Sequence, residues 1–435
     1  MALNDTKTIN AWCMYDWANS AYSLVISSTL FPVYYEEMTK IAFPPDGMVD
    51  FLGFSIKNTV LYSYALSFAY LLIAISLPFL SGIADYTGRK TYFMRIFSTM
   101  GAIACACMIF FNGHNVEWGI ATFVVATMGY AGGLVFYNAF LPEIVTQDKF
   151  DRTSARGFAF GYIGSILLLV VNLGIIQMQE TGEAKLEATK WAFLMVGIWW
   201  ASFSLITFRF VKDAVAKQKV TSRILTKGID ELKSVWAQLQ NLPNAKRFLA
   251  AFFLYDAGVQ TAMFLAPMFA KSVLNMDGGQ LIKTVLILQV VAILGSYLAA
   301  KLSEWQGNKV SIMVMLVIWT VNCFLAYAIQ TQLQFYFVAA CIGMVMGGIQ
   351  SLSRATYAKL IPENTPNTAS FFSFFDLLDK VALVLGAFMF GYIELITGSM
   401  RNSILALGVF FVGGALVMLF TKVPFSSRKV RHSSL

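Results

Sequence analysis

Charge is scarce in this chain: of its 435 residues only 13% are Asp, Glu, Lys or Arg, where a soluble domain carries roughly 25%. That is too little to cover a water-facing surface, and a soluble globule is excluded. Histidine is almost missing. His114 and His432 are the only two, one in a loop and one in the tail, so no histidine cluster supports metal chemistry or an intramembrane hydrolase. The five cysteines (Cys13, Cys105, Cys107, Cys323, Cys341) all fall inside apolar stretches and form no C-x-x-C pair, which argues against a disulfide framework or a zinc site. No G-x-x-x-x-G-K-S/T loop is present, so ATP hydrolysis and phosphotransfer have no support. The chain reads as a non-enzyme with no metal and no cofactor. A cleavable signal peptide is not expected either, because the first apolar segment carries Asp16 and lacks a small-residue cleavage site.

Apolar sequence is abundant, at 57% hydrophobic residues, and runs of the ~20 residues that a membrane helix needs recur along the chain. Twelve spans are expected, near residues 12–35, 59–83, 92–111, 118–141, 157–178 and 190–210, then 247–270, 281–302, 310–330, 335–358, 371–395 and 402–421. The fold class is therefore an all-α polytopic membrane protein. The net charge of +8 is not a nucleic-acid signal. With the N-terminus inside, about 23 Lys/Arg fall in cytoplasmic segments and about seven outside, while the acids divide evenly, as a rule that counts basic residues requires. Both termini are expected in the cytoplasm, most simply at a bacterial inner membrane. The basic tail (Lys422, Arg428, Lys429, Arg431) is a positive-inside flank that can also touch anionic lipid.

The longest polar stretch, 211–246, carries Lys212, Lys217, Lys219, Arg223, Lys227 and Lys233. Within it Ile229, Leu232, Val235, Trp236 and Leu239 have the i, i+3, i+4 spacing of an amphipathic helix, expected on the membrane surface. This divides the chain into an N-terminal six-helix bundle (1–211), a cytoplasmic linker (212–246) and a C-terminal six-helix bundle with the tail (247–435).

The two halves share three features in the same order. Tyr15-Asp16 opens span 1 and Tyr255-Asp256 opens span 7. Asp85-Tyr-Thr-Gly88-Arg89-Lys90 follows span 2, and Glu304-Trp-Gln-Gly307-Asn308-Lys309 follows span 8, with acid, glycine and lysine equally spaced. Tyr137 precedes Pro142-Glu143 by five residues, and Tyr357 precedes Pro362-Glu363 by the same five. Three ordered matches indicate a duplicated six-helix unit, giving two pseudo-symmetric bundles, an arrangement found in transporters with parallel repeats.

These residues carry a resemblance. Ser81-Gly82-Ile83-Ala84-Asp85-Tyr86-Thr87-Gly88-Arg89-Lys90 resembles the major facilitator superfamily signature G-x-L-A-D-R-x-G-R-K, with Ser81 and Tyr86 as departures. More narrowly, Ala11-Trp12-Cys13-Met14-Tyr15-Asp16-Trp17-Ala18-Asn19-Ser20-Ala21-Tyr22, Phe253–Thr261 and Gly347–Arg354 with Ile361-Pro362 are similar to the first, seventh and tenth helices of the vacuolar amino-acid effluxer-like (autophagy-associated) family, and to its bacterial members. The family's eleventh helix runs from an aspartate through a small residue to a basic one; Asp376-Leu-Leu-Asp379-Lys380 adds a second acid. The resemblance implies the fold and, more loosely, amino-acid efflux.

The candidate site residues follow. Asp16, Asn19, Ser20, Ser23 and Ser27 form one polar stripe at helical spacing; Tyr255, Asp256 and Gln260 form another. The resemblance implies that both helices line a cavity; the open alternative is hydrogen bonding to neighbouring helices. Asp376 and Lys380 stand at ion-pair spacing, Asp379 on a neighbouring angle, with Arg354 expected nearby. Four acids against two bases leave two uncompensated charges, making Asp376 or Asp379, with Lys380, the proton-coupling candidates; a static charge cluster is the alternative. Asp85, Gly88, Arg89 and Lys90, and Glu304, Gly307 and Lys309, are expected to form gating loops. Pro32, Pro78 and Pro267 are expected to bend their helices. The resulting function is a secondary active transporter moving a small polar solute, most readily an amino acid or short peptide, by alternating access, with the proton as candidate coupling ion. The chain should work as a monomer with the solute and the bilayer as its partners. A lipid scramblase or a non-transporting membrane receptor is the competing reading.

Overall fold

Inside lipid every backbone N–H and C=O must be satisfied within the chain, which leaves helices for an apolar sequence of this kind. The computed structural model describes residues 2–44, 47–213, 224–363 and 365–424. Expectations resting on Lys217, Lys219, Arg223, Arg428, Lys429, Arg431 and His432 lie outside the described residues. The first span comprises α1 (Thr6–Ala21), a π-helical section (Tyr22–Leu30) and α2 (Phe31–Ala42), which follow one another without a break. A two-stranded antiparallel hairpin, β1 (Met48–Phe51) and β2 (Phe54–Lys57), comes next, an addition to the all-α expectation. Its two-residue turn, Leu52-Gly53, holds both residues at positive φ, 53° and 85°, as tight hairpin turns require.

The remaining spans are α3 (Asn58–Thr87), α4 (Lys90–Cys107), α5 (Val116–Ala139) with the short α6 (Leu141–Ile144), α7 (Phe150–Gln177) and α8 (Gly182–Phe210). After the linker helix α9 (Ile224–Gln240) come α10 (Pro243–Leu274), α11 (Gly278–Gln306), α12 (Asn308–Ala328), α13 (Gln332–Leu360), α14 (Thr368–Thr397) and α15 (Met400–Leu419). Among the described residues, ten helices are long and apolar enough to cross a membrane, and α10 makes an eleventh when its 48° bend between Met263 and Leu265 is counted as one span. The cause of the bend is Pro267, which lacks an N–H and whose ring meets the carbonyl four residues earlier, at Met263. The helical run from Thr6 to Ala42, divided by the π section, occupies the place of the expected first span. Pro78 lies inside an uninterrupted α3, and Pro32 stands at the start of α2, directly after the π section.

The chain packs as two compact units. The first comprises Thr6–Asn138 and Phe160–Ile229; the second comprises Met1–Asp5, Ala139–Ala159 and Asp230–Leu435. In the first unit α7 meets α1 closely: a Cβ on Gly161 would lie 2.6 Å from the Ser20 hydroxyl, and one on Gly164 2.7 Å from the Trp17 carbonyl. In the second unit α11 and α13 approach backbone to backbone, since a Cβ on Gly295 would fall 2.0 Å from the Met344 carbonyl oxygen and one on Gly343 2.4 Å from that of Leu288. Small residues permit such contact, which is how helices associate where lipid is as apolar as the helices themselves.

The linker helix α9 is amphipathic, and protein covers part of its apolar face. A Cβ on Gly82 of α3 would stand 2.2 Å from the Gly228 carbonyl. Val235 and Leu239 are buried, and Trp236 packs on Phe374 with ring centroids 5.6 Å apart. Two glycines that face each other let α9 approach α3 this closely.

Candidate solute pathway and gate

In the first unit, α1 carries Asp16 into a buried setting where it accepts the Tyr137 hydroxyl at 2.7 Å. The same tyrosine is fixed from two sides. The Trp12 indole N–H donates to its carbonyl at 2.9 Å, and the Trp12 ring stacks on it at 4.3 Å. One turn beyond Asp16, Asn19 is fully buried, and neither atom of its amide has a protein partner. The Tyr15 hydroxyl is likewise without one. Buried polar atoms usually find partners, and these two residues of α1 depart from that rule. The polar stripe keeps α-helical spacing only as far as Ser20. Ser23 and Ser27 fall in the π section, whose wider i→i+5 turns rotate them away from the face of Asp16. There the Ser27 carbonyl receives the Tyr62 hydroxyl at 2.9 Å.

In the second unit, Tyr255 is buried and its hydroxyl meets that of Ser353 at 2.7 Å. Asp256 and Gln260 of α10 face the acids of α14. The Gln260 amide donates to Asp379 at 2.6 Å, and Asp256 is close enough to interact with both Gln260 and Asp379. The Lys380 ammonium sits between Asp379 and Asp376, 3.3 Å from the latter. Three carboxylates thus surround one ammonium. Asp256 and Asp376 each keep one oxygen without a protein partner, while Asp379 and Lys380 stay partly open, at 20% and 11% side-chain exposure.

Arg354 is held elsewhere. Its guanidinium donates to the Ser154 hydroxyl at 2.9 Å and to the Ser154 carbonyl at 2.8 Å, and lies 4.4 Å above the Phe158 ring. Nearby is a second ionic cluster that sequence reasoning missed. Lys359 and Asp151 pair at 2.6 Å with both side chains almost fully buried. Asn308 bridges them, accepting from Lys359 at 2.8 Å and donating to Asp151 at 2.7 Å, and the Ser303 hydroxyl donates to Asp151 at 3.0 Å. Asn308 belongs to the second gating motif, and its repeat position was the only clue.

The expected gating loops are built around glycines. Gly88 closes α3 at φ 67°, in the left-handed region that favours glycine, and the Arg89 N–H returns to the Ala84 carbonyl at 3.0 Å. Gly307 occupies the matching turn at φ 84°. Asp85 is buried with Lys90 3.6 Å away. Asp213, also missed, caps α4 by accepting the Thr91 N–H at 2.7 Å and its hydroxyl at 2.9 Å. Arg89 is exposed. The second loop is not an acid–base copy of the first. Glu304 is exposed and makes no ion pair among the described residues, and the Lys309 ammonium donates to the Leu419 carbonyl. The buried polar work there falls to Ser303 and Asn308. Among the described residues no group of three or more His, Cys, Asp or Glu is placed to hold a metal ion.

The apolar helices and the repeat give the chain the fold of the major facilitator transporters. The chain resembles the major facilitator superfamily transporter FucP in its outward conformation (TM-score 0.70, 11% identity, covering 95% of this chain and 98% of that one). It also resembles the proton:xylose symporter XylE (TM-score 0.71, 13% identity, 96% of each). Residues 4–431 match the model of the "Vacuole effluxer Atg22 like" family, and the chain belongs to that family. An uncharacterised MFS-type transporter of Bacillus subtilis, YxiO, is 29% identical over 418 residues, 95% of each chain. Autophagy-related protein 22 of Saccharomyces cerevisiae is 22% identical over 401 residues, 80% of this chain and 74% of the yeast protein.

Proposed function

We propose that the protein is a secondary active transporter of a small amine-bearing polar solute, an amino acid or short peptide, and that it exports this solute by alternating access with proton coupling. The observation that carries the proposal is the group of three carboxylates around one lysine on α10 and α14. Charges are expensive at membrane depth and persist where they serve a pathway. Asp379 is engaged by Gln260 and Lys380, and Asp376 by Lys380. Among the described residues Asp256 forms no ion pair within 4 Å, and it keeps an oxygen open. It is therefore the group left to take a cation from solution, either a proton or a solute ammonium. Asp85 with Lys90, and Asp151 with Lys359, are the pairs that would hold and release the cytoplasmic side. The excess of Lys/Arg in alternate loops supports cytoplasmic termini in a bacterial inner membrane, each chain acting alone. The test is uptake of an amino-acid panel by proteoliposomes with and without a pH gradient. Asp256→Asn should cut uptake at least tenfold and remove its response to the gradient. Gradient-driven uptake that survives Asp256→Asn, Asp376→Asn and Asp379→Asn alike would sink the proposal.

A further inference from the structure

Two arginines of the first unit take no part in either polar cluster. Helices α4 and α8 cross closely where a Cβ on Gly197 would lie 2.8 Å from the Ala102 carbonyl oxygen. Along this seam runs an open groove of ≈ 630 Å³. Small side chains keep it deep: Thr99, Ala102 and Ala106 from α4, and Gly197, Ala201 and Ser202 from α8. At one end stand Arg95 and Arg209, both exposed. The Arg95 guanidinium lies 5.2 Å above the Phe208 ring, and that of Arg209 lies 5.8 Å from the Phe210 ring. Among the described residues neither is paired with a carboxylate.

The length of the groove identifies what fits it. From Arg95 to Ala106 helix α4 rises about 16 Å at ~1.5 Å per residue, about half of the ~30 Å hydrocarbon core. The groove is therefore one leaflet deep, with its charges at the headgroup end. Any lipid tail can enter an apolar groove, so the headgroup decides which lipid stays. A guanidinium binds phosphate through parallel N–H donors, and basic pockets between membrane helices hold anionic headgroups. We propose that this groove is a binding site for one anionic phospholipid, with an acyl chain along the α4–α8 seam and its phosphate between Arg95 and Arg209. The bound lipid would steady these two helices, and Lys90 and Thr91 of the gating turn stand at the start of one of them.

Native mass spectrometry of the purified full-length chain tests this, with phosphatidylglycerol and phosphatidylcholine of identical acyl chains offered in equal amounts. One phosphatidylglycerol should be retained in preference. Arg95→Gln and Arg209→Gln should each lower that preference about fivefold, the effect of ~1 kcal/mol per basic residue near a lipid surface. Ala201→Trp, which fills the groove and keeps both charges, should also release the lipid. The proposal is overturned by an unchanged preference in the Arg95→Gln/Arg209→Gln double variant, or by undiminished retention in Ala201→Trp. Displacement of the lipid by inorganic phosphate alone would also overturn it, since the site would then bind only a bare anion.

Discussion

Lys359 offers the sharpest test of the energetics. Its ammonium is buried against Asp151 at 2.6 Å and Asn308 at 2.8 Å. Lys359→Met keeps most of the stem and removes the charge, leaving Asp151 buried with only neutral donors from Asn308 and Ser303. Removing one partner of a buried ion pair costs about 3–5 kcal/mol. The two surviving hydrogen bonds to the carboxylate are worth roughly 1.5–3 kcal/mol each, so the lower figure, about 3 kcal/mol, is expected. An unfolding entropy of ~2.1 cal/mol/K per residue gives about 0.9 kcal/mol/K for a chain of this length, so Tm should fall by about 3 °C. Adding Asp151→Asn removes the stranded charge and should bring Tm back to within about 1 °C of the parent, a recovery of about 2 kcal/mol over Lys359→Met alone, with the Asp151→Asn single variant closing the cycle. The assay is thermal unfolding of the four proteins in one detergent, followed by circular dichroism. If the double variant loses the sum of the two single losses, the pair is not a unit and the reasoning fails.

Three further outcomes follow from local geometry. Gly82→Val places side-chain atoms on the Gly228 carbonyl, where a single Cβ would already stand at 2.2 Å. It should undock α9 at a cost of about 1–3 kcal/mol, and limited proteolysis should then cut the linker faster than in the parent. Asp213→Ala removes the cap of α4 and should cost about 1 kcal/mol; Asp213→Asn should restore most of the lost Tm. Gly88→Ala forces a side chain into φ 67° at about 1–2 kcal/mol, whereas Ala substitution at Gly391, an α-helical glycine with no heavy atom near its missing Cβ, should be neutral or slightly stabilising by the same melting assay.

The spans were legible because a membrane helix announces itself through length and apolar composition, and the two glycine turns because their motifs repeat. What stayed hidden was pairing at a distance. Asp151 and Lys359 lie 208 residues apart, each in a short polar segment that looks like ordinary loop chemistry. Arg354 was expected beside the acids of span 11 because they share a polar character, but Ser154 and Phe158 take it up. Gln260 and Asp379 were both placed on polar faces, yet helical spacing cannot say which faces meet across two helices. The exchange of Glu304 for Ser303 and Asn308 shows the same limit: a repeated spacing marks the turn but not which of its residues turns inward. The π section between Tyr22 and Leu30 carries no local signal in its mixture of Ser, Val, Ile and Leu.

That section bears on how this protein can change over generations. A stretch of i→i+5 turns is an α-helix that has absorbed surplus backbone. Losing one residue between Tyr22 and Leu30 would let the stretch relax into ordinary α-helix while both flanks keep their facing, with Asp16 still toward Tyr137 and Phe31 still against Phe123, its ring 4.8 Å away. In an uninterrupted span such as α12 the same loss would turn everything downstream by about 100°. The first span is thus the place where the length of this chain can vary by a residue without reorienting its pathway.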